Sequence, residues 1–347
     1  MRHIFVILLF LVSARVSAED VDSENSSWTF SLQFENDLFG DTDQNYTNGI
    51  KLSLVSSDLT EFRDTDRFRP WTVWWANNLP FVNDEIGNDN LQRNINFSLG
   101  QKIFTPQNIQ ETDLISTDRP YGGWLYFGTG FHTKTKKRLD SLELQIGIVG
   151  PYSLAEDTQN FVHKVRDILT AKGWDNQLDN EPAFAVIYEQ KRRFRPKNFH
   201  ERWGYDVIAH AGGAIGTVYT YGNLGAEARI GWNIPADFGT SLIRPGGDTN
   251  APIDSSDPRL SKRQNFSVHA FAAVTGRLVL RDIFLDGNTF SDSHNVEKNY
   301  LVGDLILGAS AIYEGIKVSY AQVFRTREFA EQKDSHNFGS ISISFTF

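Results

Sequence analysis

His163 is the residue best placed, by type and spacing, to move a proton. An imidazole ordinarily titrates at about 6.5, so it can take up a proton near neutrality. Gln159 precedes it by one helical turn, close enough to orient a water or the ring. Both fall in PYSLAEDTQNFVHKVRDILTAKG (151–173), the one stretch that reads as a helix. Pro151 and Ser153 suit its start, Glu156 and Asp157 its first turn, and Gly173 its stop. At 100° per residue Glu156, Gln159, Asn160, His163 and Asp167 share one face, and Leu154, Phe161, Val165, Ile168 and Leu169 the other. The plain alternative is a solvated histidine on a polar helix face.

A second set of groups is rich in oxygen: Asn36, Asp37, Asp41, Asp43, Asn45, Thr47 and Asn48. Oxygen donors of this kind suit a hard cation, calcium above all. Asn36 and Asp37 close a strand, and alternation puts Asp37 on the polar face with Gln33 and Glu35. The run DTDQN (41–45) begins like an EF-hand loop, but Tyr46 stands where glycine belongs and Leu52 where the bidentate Glu belongs. The plain alternative here is a hairpin loop with turn-forming Asp, Asn and Gly. GxSxG and HExxH motifs are both missing, and the eight histidines lack the close pairings of a zinc site.

These groups need elements to hold them. Trp28, Phe30, Leu32, Phe34 and Leu38 alternate with polar residues, and so do Ile50, Leu52 and Leu54, as in two strands joined by a polar loop. Further alternating or strand-like stretches are 93–104, 122–133, 139–150, 184–194, 203–215, 222–233, 264–280, 298–313, 316–326 and 337–347. The total is about twelve, an even number, as expected of a bacterial transmembrane antiparallel β-barrel. In NFGSISISFTF (337–347), Ile341, Ile343, Phe345 and Phe347 share a face opposite Ser340, Ser342, Ser344 and Thr346. A terminal strand ending on Phe resembles the insertion signal of outer-membrane barrels. In a soluble sandwich so apolar an edge would invite aggregation. The fold class is therefore all-β, a barrel with a short helix in an extracellular loop.

The first residues, MRHIFVILLFLVSARVSA, have a basic start, a short apolar run and a small-residue end. They read as a signal peptide over 1–18, leaving 19–347 as one barrel domain. The run is too short for a spanning helix, which needs about 20 residues. With 43 acidic against 34 basic residues the chain is acidic, which disfavours nucleic acid as a partner. It has no cysteine, so an exported domain folds here without disulfides. With both termini in the periplasm, the outer rim receives Asn36 to Asn48, the loop after Phe104 and the helix after Val149. The long segments 57–92 and 234–263 then fall on the periplasmic side, where turns are usually short.

The motifs ENDLF (35–39), YTNG (46–49), IFTP (103–106) and GP followed by QNFVH (150–163), in this order and spacing, resemble the outer-membrane lipid A 3′-O-deacylases, the LpxR family. The resemblance implies a twelve-stranded barrel and calcium-dependent hydrolysis of the ester that holds the 3′-acyloxyacyl group on lipid A of lipopolysaccharide. It maps the family's functional Asn-Asp pair onto Asn36 and Asp37, its Thr onto Thr47, and its Gln and His onto Gln159 and His163. Calcium would sit by Asp37 and Asn36. The family can carry a Lys in the loop after IFTP and an acid near the helix end. Here 105–120 has no Lys, so Arg119 is the substitute for recognising the lipid phosphate, and Asp167 is the nearest helix acid. The implied chemistry has His163 as general base and the metal as oxyanion stabiliser, in a monomer among outer-membrane lipids with its site at the extracellular rim. The rivals are an outer-membrane phospholipase, a non-enzymatic porin-like barrel and a soluble sandwich.

Overall fold

A computed structural model describes residues 27–37, 45–59, 91–167, 169–194, 202–240, 242–243, 251–253, 256–261 and 265–347. The leader, Asp41, Asp43 and the Trp71 to Trp75 patch lie outside the described residues.

Twelve antiparallel strands close into a barrel, each paired with its neighbour in sequence and β1 paired with β12. They are β1 Thr29–Asn36, β2 Asn45–Val55, β3 Gln92–Thr105, β4 Gly122–Lys134, β5 Arg138–Val149 and β6 Glu181–Phe194. The second half comprises β7 Trp203–Gly216, β8 Tyr219–Trp232, β9 Phe266–Asp282, β10 Leu301–Tyr313, β11 Ile316–Arg325 and β12 His336–Thr346. Among the described residues no helix is long and apolar enough to cross a membrane. The strands do the crossing.

Alternation decides which side chains meet lipid. Phe30, Leu32 and Phe34 of β1 pair with Phe345, Ile343 and Ile341 of β12 and with Leu54, Leu52 and Ile50 of β2. These rows point outward, and Leu99, Phe127, Ile146, Leu224 and Leu301 extend the exposed apolar belt. The residues between them, Ser31, Gln33, Lys51 and Ser53 among them, are buried in the lumen. This inverts the polarity of a soluble protein, as a lipid solvent requires.

The lumen is filled from both ends. At the end away from the chain termini, the short helix α2 (Ile283–Asp286), capped by Asp282, turns Phe284 inward. Phe284 stacks on Phe104 at 4.0 Å, beside Trp124 and Tyr126, which stack at 4.4 Å. From the opposite end, the connection between β8 and β9 folds back into the barrel. Asp237 bonds Lys317 at 2.8 Å and Arg259 at 3.0 Å and pairs with Arg229, which also bonds Asp206 at 2.7 Å. The backbone amide of Ile243 donates to Glu35 at 2.7 Å, near the far end of β1. The described part of 234–263 is therefore an internal plug, which is why it is long on the side where turns are short. Opposing charges stay ionised there: burial alone would raise the Asp237 carboxyl, but Lys317, Arg229 and Arg259 hold it well below the usual range.

Candidate functional site outside the barrel wall

The helix α1 (Ala155–Val165) is shorter than periodicity predicts. It is entered through a 3-10 turn, Pro151–Ser153, with Leu154 in the left-handed region. It ends before Asp167, which is also left-handed (φ 57°). Asp167 is exposed and so does not join the polar stripe.

The helix lies at the rim away from the termini, as the sequence suggests, and packs against the outward face of the wall. A Cβ on Gly123 of β4 would come within 2.2 Å of the Ala155 Cβ and of the Ser153 hydroxyl, so only glycine permits this approach. The Gln101 side chain of β3 donates to the Ser153 carbonyl at 2.6 Å. Ile103, Ile109, Tyr121, Ala155, Ala171 and Trp174 form a small apolar core between helix and wall.

Ala155, Gln159 and His163 are the buried residues of α1, spaced so that they share one face. Gln159 is 1% and His163 2% exposed, whereas Phe161 and Val165 on the opposite face are 64% and 69% exposed. The amphipathic pattern is thus read inside out. Gln159 and His163 of the polar stripe meet the wall, whereas Phe161 and Val165 are exposed together with Glu156, Asp157 and Lys164.

Both polar side chains are held by the arm that returns from the helix to β6. His163 Nδ1 lies 2.7 Å from the Leu169 carbonyl. A carbonyl only accepts, so Nδ1 is the donor of this bond. The Trp174 indole N–H donates to Gln159 Oε1 at 2.9 Å. Gln159 Nε2 is buried and makes no hydrogen bond with a described residue.

The oxygen-rich set lies along the same rim. Asn36 pairs with Asn48 across β1 and β2, Asn48 with Ile103 of β3, and Ile103 with Gly123 of β4. One outward-facing row therefore leads from Asn36 to the glycine under the helix. Asn36, Asp37 and Asn48 are all buried, and Asn48 Oδ1 makes no hydrogen bond with a described residue. Glu35 and Gln33, grouped with Asp37 by alternation, face the lumen. The strand ends at Asn36, so alternation does not extend to Asp37. Thr47 sits at a β-bulge, where the register with β3 slips between Tyr46 and Asn48; bulges re-aim a strand's side chains, and that of Thr47 lies outside the described residues.

Arg119, the substitute offered for recognising a phosphate, is not presented at the surface. It is buried, bonds Glu328 at 2.9 Å, and lies over the Phe104 and Phe329 rings at 5.6 and 5.5 Å. Burial alone would raise Glu328, but Arg119 and Arg325 beside it bring it down to about 2. This pair ties the loop 106–121 to the loop 326–335 as part of the rim cap. On α1, burial and the neighbouring Asp157 and Asp175 raise the Glu156 carboxyl.

Leu169 and Trp174, which hold the stripe, went unpredicted because nothing in their types marks them as partners of residues 6 and 15 positions earlier. The small Ala155 at the head of the stripe was the available sign that this face packs closely. Among the described residues no three His, Asp or Glu side chains converge as a metal-binding group. The donors around Asn36 are amide and carboxylate oxygens, a set that fits a hard cation better than zinc.

The closed even-stranded wall, apolar belt and filled lumen define an outer-membrane β-barrel. The sequence profile described as "Outer membrane protein LpxR" matches residues 4–347. The chain belongs to that family, and it is an outer-membrane protein. Among solved structures it is similar to LpxR from Salmonella typhimurium, with a TM-score of 0.70 and 17% identity over 92% of this chain and 100% of that one. The β domain of the Bordetella autotransporter BrkA matches with a TM-score of 0.41 and 9% identity, covering 94% and 99% of the two chains. No curated protein matches the chain in sequence.

Proposed function

We propose that this protein is a hydrolase that removes the 3′-O-linked acyloxyacyl group from lipid A of lipopolysaccharide, at the outer-leaflet end of the barrel. The observation that carries the reading is the position of Gln159 and His163. They lie between a loop helix and the outward face of the wall, on the side of the barrel that an outer-leaflet lipid approaches and not in the lumen.

In the mechanism we infer, His163 Nε2 takes a proton from a water as its oxygen attacks the acyl carbonyl carbon. The hydrogen bond from Nδ1 to the Leu169 carbonyl keeps the ring in the tautomer this needs and stabilises the imidazolium that forms. Gln159 Nε2 is a preorganised donor for the oxyanion of the tetrahedral intermediate. When that intermediate collapses, the bond from acyl carbon to sugar oxygen breaks. His163 returns its proton to that oxygen, leaving a free 3′-hydroxyl and a free acid. Asn36, Asp37 and Asn48 would hold a calcium ion through their side-chain oxygens. When bound, calcium supplies Lewis-acid stabilisation of the developing negative charge. Thr47 is assigned a positioning role at the edge of this group.

An outer-membrane phospholipase would use the same ester chemistry on a glycerolipid. A porin reading has less support, since aromatic rings at one end and an ion-paired plug at the other occupy the lumen. Mass spectrometry of lipid A from cells expressing the wild type and His163→Ala tests the proposal. Loss of one acyloxyacyl unit in the wild type only, with fragmentation placing it at the 3′ position, is the expected result. Unchanged lipid A with cleaved glycerophospholipid would transfer the reading to a phospholipase. If neither lipid changes in correctly inserted protein, the hydrolase reading fails.

A further inference from the structure

We propose that Trp174 is a positioning residue that acts through Gln159, selecting which edge of the Gln159 amide points away from the return arm; this rests on the hydrolase reading above. A glutamine amide can sit in two orientations related by a half-turn, one presenting oxygen and the other nitrogen to a given neighbour. An indole N–H only donates. At 2.9 Å from Trp174 Nε1, Gln159 must therefore present Oε1, which puts Nε2 on the opposite edge as a buried donor with no hydrogen bond to a described residue. In the flipped orientation two donors would confront each other, and an oxygen lone pair would face the position where the substrate's oxygen gains charge.

The indole is well suited to this task because it is itself immobile. Trp174 is buried and opens a 3-10 turn, Trp174–Asn176, and its ring packs against Tyr121 at 4.9 Å. The arm around it is tied to the loop 106–121 on both sides. Lys172 N donates to the Ile109 carbonyl at 2.8 Å, Leu178 N to the Tyr121 carbonyl at 2.9 Å, and the Asn176 side chain to the Thr112 carbonyl at 2.8 Å. Leu169 on the same arm accepts from His163. One return arm thus sets both the tautomer of the base and the orientation of the donor.

The test is a double-mutant cycle on the full-length protein in detergent or lipid, measuring kcat and KM separately for release of the acyl group. Gln159→Ala should lower kcat by about 100- to 1,000-fold, the usual cost of removing an oxyanion donor. Gln159→Glu should fall as far, because it still accepts from Trp174 but has oxygen in place of Nε2. Trp174→Phe keeps a ring against Tyr121 and removes only the donor. It should lower kcat by roughly 10-fold, a fraction of the donor's full effect, with KM and melting temperature near wild type. In the Gln159→Ala background, Trp174→Phe should cost nothing further in kcat. Losses that multiply in the double variant, or a Trp174→Phe effect confined to KM or stability, would overturn the role while leaving the hydrolase reading intact. A wild type inactive on both lipid A and glycerophospholipid would overturn both.

Discussion

The lumen and the cleft outside the wall both bury polar side chains, and they do so in opposite ways. In the lumen the charges close on one another. Asp206 bonds Arg193 and Arg229, and Asp237 pairs with Arg229, Arg259 and Lys317. Outside the wall the return arm holds Gln159 through Oε1 and His163 through Nδ1, and Gln159 Nε2 makes no hydrogen bond with a described residue. A paired network rigidifies a barrel, whereas a side chain anchored at one end can act on a substrate with the other. On the proposed mechanism, the lumen serves stability and the helix seat outside the wall serves chemistry.

The largest effect that would break this assignment is on His163. His163→Ala should lower turnover by on the order of 100- to 10,000-fold with an unchanged melting temperature, as checked by acyl-release assay and thermal unfolding. Wild-type turnover in this variant would remove the general base. Next comes the oxygen set. Asp37→Ala should lose activity that excess calcium does not restore, and the wild type should lose activity in EDTA and regain it with calcium. Full activity in EDTA would eliminate the metal.

Asp237→Asn leaves Lys317, Arg229 and Arg259 without their shared carboxylate. It should destabilise the barrel by about 3–5 kcal/mol, the cost of breaking a buried ion pair, measured by denaturant unfolding. Turnover per folded molecule should stay at the wild-type level. The smallest effect concerns the rim cap. Glu328 titrates at about 2 in the folded protein against an ordinary 4.5, so its ion pairs stabilise the fold fully above pH 4.5. That stabilisation declines as the pH falls toward 2. The melting-temperature gap between wild type and Glu328→Gln should therefore shrink across this interval, and a gap independent of pH would show that the carboxylate's charge is not what matters.

The wall was legible in the sequence because its signal is local. Residues such as Ile341, Ile343 and Phe345 state their side of the sheet by alternation, and such strand-like stretches need only their immediate neighbours to be recognised. The Gln159–His163 pair was legible for the same reason, since spacing along one helix is also local. The direction that pair faces was not. A polar stripe ordinarily meets water, whereas here Gln159 and His163 turn toward the wall and Phe161 and Val165 stay exposed. The plug was illegible too. Asp237 finds its partners in Arg229, Arg259 and Lys317 on different strands and loops, and no periodicity in 234–263 announces them. Arg119 misled for a related reason: a lone arginine near a predicted site reads as a ligand until its carboxylate, Glu328, more than 200 positions away, is seen beside it.

Whether the chemistry lies outside the wall is decided by acyl release from purified lipid A, measured side by side for folded wild type, His163→Ala and Asp237→Asn in the presence of calcium. The wild type and Asp237→Asn should release acid at equal rates per folded molecule, and His163→Ala none above background. Release that survives in His163→Ala but disappears in folded Asp237→Asn would move the chemistry into the lumen and contradict the proposed mechanism.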